Sequence, residues 1–253
     1  MKARLTLERD GSVAYVHLTA PKANVLDRTM VTELDAIFAS LETKRDLRAI
    51  VILPDGPHFS FGASVEEHLP GEIEAALARL GNLLRRVAAA PAPTIAAIRG
   101  QCLGGGFELA LACDFLIAEE NAQLALPEIR LGVFPPAGSA LLPLRVGLAR
   151  ATDMILTGAS VSSEDACDQG LVACVAPPGE LEATVASFID KFFMARSPSA
   201  LRHATRAVRR LVRQALNDAL PELDHIYLDE LMREPDAVDG IRAFLEQRTK
   251  ATV

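Results

Sequence analysis

Two glutamates define the chemistry open to this chain. Glu108 follows Gly104-Gly105-Gly106, and Glu128 stands in a Pro127-Glu128-Ile129 turn within an apolar stretch. Glycines at a helix start leave backbone N–H groups free to meet developing negative charge. Three in succession cost conformational entropy, and close approach of a ligand would justify that cost. A carboxyl group in an apolar cleft beside a second carboxyl has its pKa raised, so the pair can share acid and base roles near neutral pH. The combination points to water chemistry next to a stabilised oxyanion. Each half alone has a plainer reading: a tight strand-to-helix turn for the glycines, a charge balancing the helix dipole for Glu108.

A second segment strengthens the first. His58-Phe59-Ser60-Phe61 reads as strand-like and ends in Gly62-Ala63-Ser64, where small residues let backbone approach a ligand. The Ala63 N–H is then a candidate second oxyanion donor facing Gly105. Neither glycine segment has the G-x-G-x-x-G spacing of a dinucleotide fingerprint, and there is no Walker lysine. Ser64 and Ser139 lie outside any G-x-S-x-G elbow, and nothing sets a histidine beside them, which argues against a serine hydrolase.

Cys102, Cys113, Cys167 and Cys174 lack zinc-ligand spacing and are expected as free, buried thiols of a reducing compartment. His17, His58, His68, His203 and His225 show no metal spacing either, and His68, near the glycine segment, is expected in solvent. No metal and no resident cofactor are expected.

The elements that must hold these residues are α/β in character. Val13–Leu18 alternates as a strand, Thr29–Leu41 has helical spacing, and Ala49–Leu53 is a short all-apolar run suited to a strand covered on both faces. Thr94–Ile98, a helix from about Phe107 to Cys113, and Phe115–Ala118 repeat strand, helix, strand. Ala88–Pro93 reads as a tight connection rather than a linker. From about Pro178 the pattern becomes helical, over Leu181–Ala195, Ser199–Leu216, Leu220–Arg233 and Pro235–Gln247. The expected division is a core of residues 1–195 carrying the site and a helical region of residues 196–253. Apolar helical stripes with little sheet to cover suggest an oligomer.

Bulk properties fit an enzyme of this kind. The chain has 253 residues, half of them hydrophobic, and a net charge of −7. No general field draws it to nucleic acid or an anionic membrane. Arg206, Arg209, Arg210 and Arg213, at helical spacings, read as a solvated face or a subunit contact. Acidic and basic residues among the first eight break any leader-like apolar run, so a cytoplasmic location is expected, with no membrane partner.

Several segments together resemble the crotonase, or enoyl-CoA hydratase/isomerase, superfamily over nearly the whole chain. They are Pro21-Lys22-Ala23-Asn24, Phe59-Ser60-Phe61-Gly62-Ala63, Gly100 to Ala110, Cys113-Asp114 and Leu126 to Gly132. The resemblance implies a crotonase-like spiral of ββα units and a C-terminal helical region that builds homotrimers, often paired into homohexamers. It implies that Ala63 and Gly105 N–H groups hold a thioester oxygen, and that Glu108 and Glu128 handle water and proton. Both glutamates together imply a hydratase. An acyl-CoA thioester would be the substrate, with coenzyme A a part of it, contacted by Lys22, Ala23, Val25, Ala63, Ser64, Val65 and Gly104, and with Pro136 stiffening the wall beside the acyl group.

Ser64, Glu66 and Pro135-Pro136-Ala137-Gly138-Ser139 depart from the usual family pattern. The string Phe59 to His68 is most similar to the branch that hydrates cyclohexa-1,5-diene-1-carbonyl-CoA in anaerobic aromatic degradation. Hydration of straight-chain enoyl-CoA and a non-catalytic CoA-ester-binding role are the alternatives.

Overall fold

The computed structural model describes residues 1–20 and 22–251, without the side chains of 248–251. Pro21, one of the resemblance marks, lies outside them. Each turn of the chain runs a long strand, then a short strand or bridge, then a helix. β1 (Ala3–Glu8) and β2 (Val13–Leu18) form an antiparallel hairpin, and α1 (Arg28–Leu41) follows, its first turn capped by Asp27, which accepts from Met30 N at 3.0 Å. β3 (Ala49–Pro54), buried at every position, leads to α2 (Ile73–Ala88). β4 (Thr94–Ile98), β5 (Gln101–Leu103) and α3 (Gly105–Leu111) make the next turn. β6 (Phe115–Glu119) and β7 (Gln123–Ala125) then precede α4 (Pro136–Val146), and β8 (Val161–Ser162) and β9 (Cys174–Ala176) close the strand set.

The long strands form one sheet of order β1-β2-β3-β4-β6-β9, parallel beyond the first pair, and the short ones a second sheet of order β5-β7-β8. Isolated bridges Leu26–Ala63 and Ser60–Cys102 link the earlier turns in the same manner. The fold is therefore α/β, a spiral of ββα-type turns, as the sequence implies.

The four expected strands are present as β2, β3, β4 and β6, but β1 and the short β5, β7, β8 and β9 carried no strand reading. α3 begins at Gly105, not near Phe107, so Gly104 is its cap and Gly105 and Gly106 form its first turn. The C-terminal helices also differ in their breaks. Residues 198–208 form one helix, and a continuous helical run then extends from Arg210 to Arg233 through π-helical turns at Ala215–Ala219 and Ile226–Glu230. A final helix spans Pro235–Ala251. Among the described residues no helix is long and apolar enough to cross a membrane. All four cysteines are free; Cys102 and Cys113 are buried, whereas Cys167 and Cys174 are only half-buried.

Arg209 corrects the reading of the arginine stripe. It is 3% exposed and bonds both carboxylate oxygens of Asp114, at 2.8 and 2.5 Å, with Ala90 O at 2.8 Å, Ala92 O at 2.9 Å and Thr94 Oγ1 at 3.1 Å. It fastens the C-terminal helices to the turn before β4, while Leu216 and Leu220 enter the main apolar core. Replacing Arg209 by Met should cost about 3–5 kcal/mol, because the covered Asp114 carboxylate loses its partner. Denaturant unfolding checks this, and the double variant with Asp114→Asn should recover part of the loss.

Candidate active site

The glycine segments are small because the spiral stacks them. Phe59 N donates to Arg99 O, Ser60 N to Gln101 O and Leu103 N to Ser60 O, laying residues 59–63 along β5. A Cβ on Gly106 would stand 2.5 Å from Ser60 Cβ, and one on Gly105 would stand 3.1 Å from Ala63 N. Gly104, at φ +50°, has Glu128 Oε1 2.6 Å from where its Cβ would be. Close packing of three turns thus explains the run, and it brings the Ala63 and Gly105 amides side by side. Within the described residues no hydrogen bond uses either N–H.

Both amides border a cleft that Glu108 and Glu128 also line. Its apolar walls include Leu26, Val31, Ile73, Ala76, Leu77 and Phe134. Apolar walls with a few convergent polar groups suit a small-molecule site. Of the residues the sequence marks, Ala63, Ser64, Val65, Gly104, Gly105, Glu108, Glu128 and Pro136 line this cleft; Lys22, Ala23 and Val25 do not. That segment is instead tied behind the glycine loop: Phe61 N donates to Ala23 O, and buried Asn24 donates from Nδ2 to His58 O at 3.0 Å. His68, expected in solvent, is in the cleft wall with Nδ1 2.7 Å from Ser64 O, and burial pulls its pKa down.

The two carboxyls differ in their surroundings. Glu108 is 4% exposed and accepts from Gly138 N at 2.7 Å, in the first turn of α4. Burial raises its pKa to about 7, opposed by the Gly138 and Ala137 amides and assisted by the charge of Asp224. Sequence reading assigned Pro135–Ser139 only a wall; its amides are in fact the donors that favour ionised Glu108. A Cβ on Gly138 would meet Leu126 Cδ1 at 2.6 Å, so a side chain there would have to push the end of Leu126 aside.

Glu128 lies in a 3₁₀ turn, Glu128–Leu131, closed by Gly132 at φ +80°. The residue as a whole is half-buried, yet its Oε2 is enclosed and without a hydrogen-bond partner among the described residues. Burial first, then the charge of Glu108, raises its pKa to about 8. Both carboxyls are thus pushed toward their protonated forms, and the amide bond favours the ionised form at Glu108, whereas Glu128 Oε2 has no such donor. Such a pair can take a proton from water and give one to carbon, while the free amides accept negative charge on an oxygen. Among the described residues no group of three or more His, Cys, Asp or Glu could hold a metal ion.

Known proteins share this arrangement of chain. A cyclohexa-1,5-dienecarbonyl-CoA hydratase of Thauera aromatica is 41% identical over 246 residues, 97% of this chain and 95% of that one. A 2,3-dehydroadipyl-CoA hydratase of Escherichia coli is 33% identical over 250 residues, covering 98% and 97%. The crystal structure of an enoyl-CoA hydratase from Mycobacterium avium subsp. paratuberculosis superposes with a TM-score of 0.85 at 28% identity, covering 98% of this chain and 96% of that one. The sequence also matches the enoyl-CoA hydratase/isomerase family over residues 8–251, so that β2 to β9, the glycine loops and both glutamates fall inside the matched region. By that span and those likenesses, the chain belongs to the enoyl-CoA hydratase/isomerase family.

Proposed function

We propose that this protein, a hydro-lyase of enoyl-CoA hydratase type, adds water to cyclohexa-1,5-diene-1-carbonyl-CoA in the cytoplasm. The observation that carries the chemistry is one cleft lined by two carboxyls, Glu108 bonded to an amide and Glu128 Oε2 unpartnered, with two unused amide donors. The likeness to the Thauera aromatica hydratase supports the cyclic acyl group. Glu108 takes a proton from water as the water oxygen bonds to the β carbon. The electron pair moves toward the thioester oxygen, held by the Ala63 and Gly105 N–H groups, to give a dienolate. Glu128 then delivers its proton to the far end of the dienolate, giving 6-hydroxycyclohex-1-ene-1-carbonyl-CoA. Water has been added as OH and H; proton transfer from Glu108 to Glu128 restores the starting state.

Coenzyme A belongs to the substrate in this reading, with Ser64, Val65 and Gly104 at its path and Pro136 beside the acyl group. Lys22, Ala23 and Val25 would contact it only outside the cleft described above. A homotrimer or homohexamer belongs to the same reading, supported by exposed apolar side chains at Leu148, Leu156 and Val208. The test is a side-by-side rate comparison. kcat/KM for the cyclic dienoyl-CoA should exceed that for crotonyl-CoA by about 10²-fold, the scale on which an apolar pocket discriminates. Faster turnover of crotonyl-CoA would favour the straight-chain reading, and tight binding of both without hydration would favour a non-catalytic one.

A further inference from the structure

Tyr227 is 1% exposed, yet its hydroxyl has no hydrogen-bond partner among the described residues. A buried hydroxyl left unpaired is a standing cost, and such groups call for an explanation. Tyr227 shares an apolar cluster with Leu131 and Val133, at the end of the turn that carries Glu128, whose Oε2 is likewise orphaned. The two groups sense each other: after burial, the charges of Glu128 and then Glu108 raise the pKa of the phenol. Its ring packs on Phe134, centroids 5.4 Å apart, and Phe134 lines the cleft with Glu128. The phenol thus lies just behind the cleft wall, carried by the π-helical turn Ile226–Glu230. The other charged groups nearby are Asp224, one turn earlier on the same helical run and felt by Glu108, and Arg85 of α2, which acts on Asp224.

We propose that Tyr227 is a positioning residue for Glu128, its O–H donating to the Glu128 carboxylate, directly or through one water, as that carboxylate forms. The inference rests on the reading of Glu128 as proton donor. A neutral phenol suits the task. A lysine or arginine there would hold Glu128 ionised from the outset and remove the proton it has to give, whereas a hydroxyl helps only once the charge appears. Tyr227 keeps its own proton throughout, so the balance of the reaction is unchanged.

Tyr227→Phe removes the hydroxyl and little else. It should lower kcat about 10- to 100-fold, the scale of one hydrogen bond to a charged group, with KM for the acyl-CoA nearly unchanged. The limb of the pH–rate profile that belongs to Glu128 should move to higher pH, because the ionised form has lost a donor. Wild-type kcat with an unmoved limb would overturn the proposal. If Glu128→Gln is inactive in the same assay, the reading of Glu128 survives that result; if Glu128→Gln is fully active, that reading itself fails.

A second measurement keeps the native hydroxyl. The chain has two tyrosines and no tryptophan, so in a Tyr15→Phe background the near-ultraviolet absorbance reports Tyr227 alone. Its band should shift as Glu128 ionises, and most of that shift should be lost when Glu128→Gln is added, leaving the weaker effect of Glu108. A band unmoved across the titration of the pair would overturn the proposal even if Tyr227→Phe failed to fold.

Discussion

Glu108→Gln and Glu128→Gln should each lower kcat for hydration by about 10²- to 10⁴-fold, the contribution of a positioned acid or base. KM should change little, since the glutamine keeps the shape of the side chain and the cleft walls remain. The two variants should fail for different reasons. In Glu108→Gln the new amide can still accept the Gly138 N–H through its carbonyl oxygen but cannot take a proton from water. In Glu128→Gln the amide can still donate a hydrogen bond but has no acidic proton to give. Steady-state kinetics on the cyclic dienoyl-CoA check both.

The same substitutions have a stability consequence whose sign follows from the pKa shifts. Both carboxyls are raised above the ordinary value of 4.5, to about 7 and about 8. Between 4.5 and about 8 the folded protein therefore holds protons that the unfolded chain has released. Stability falls as pH rises through that window, since the unfolded state binds fewer protons there. Glutamine has no charge to bury, so Glu128→Gln should gain stability relative to wild type on going from about pH 5 to about pH 8 while losing activity. Thermal unfolding at the two pH values measures the difference.

Gly105→Ala is the second large effect. The added Cβ would lie 3.1 Å from Ala63 N and 3.2 Å from Ala63 Cβ, tight enough that one loop must give way. Alanine is otherwise well suited to the first turn of α3, where Gly105 has ordinary helical backbone, so the strain falls on the spacing of the two amide donors rather than on the helix. Misplacing one donor should reduce turnover by about 10²- to 10³-fold with the fold intact. Circular dichroism and unfolding midpoints near those of wild type, alongside the lost rate, would separate this from general destabilisation.

Much of this architecture was legible because it depends on short-range pattern. β3 and β4 are continuous apolar runs since both faces are covered, and α1 carries its stripe at Met30, Leu34, Phe38 and Leu41. β1 was not read because its Leu5 is only half-buried and its Leu7 exposed, so little of its alternation is enforced by a core. The helix breaks near residue 217 were misread for a different reason. A π-helical turn spans Ala215–Ala219, and its wider repeat interrupts the 3.6-residue period without ending the helix.

The site divides in the same way. Glycines at 62 and 104–106 and carboxyls at 108 and 128 were visible because unusual residue types stand in unusual places. Gly138 and Tyr227 were not, since each acts through a partner dozens of residues away or more, and nothing in Pro136-Ala137-Gly138 or Ile226-Tyr227-Leu228 marks the contact locally. Arg209 was misassigned for the same cause: three other arginines surround it at helical spacing, and only the fold turns that one toward Asp114.

The central claim is that one thioester carbonyl and one water meet the paired amides and the paired carboxyls together. A crystal structure with an unreactive acyl-CoA analogue measures this directly. The account predicts the thioester oxygen within about 2.7–3.1 Å of both Ala63 N and Gly105 N, with a water in contact with Glu108 and Glu128. A thioester oxygen bound away from those amides, or an acyl group that leaves the two carboxyls on separate waters, would contradict it.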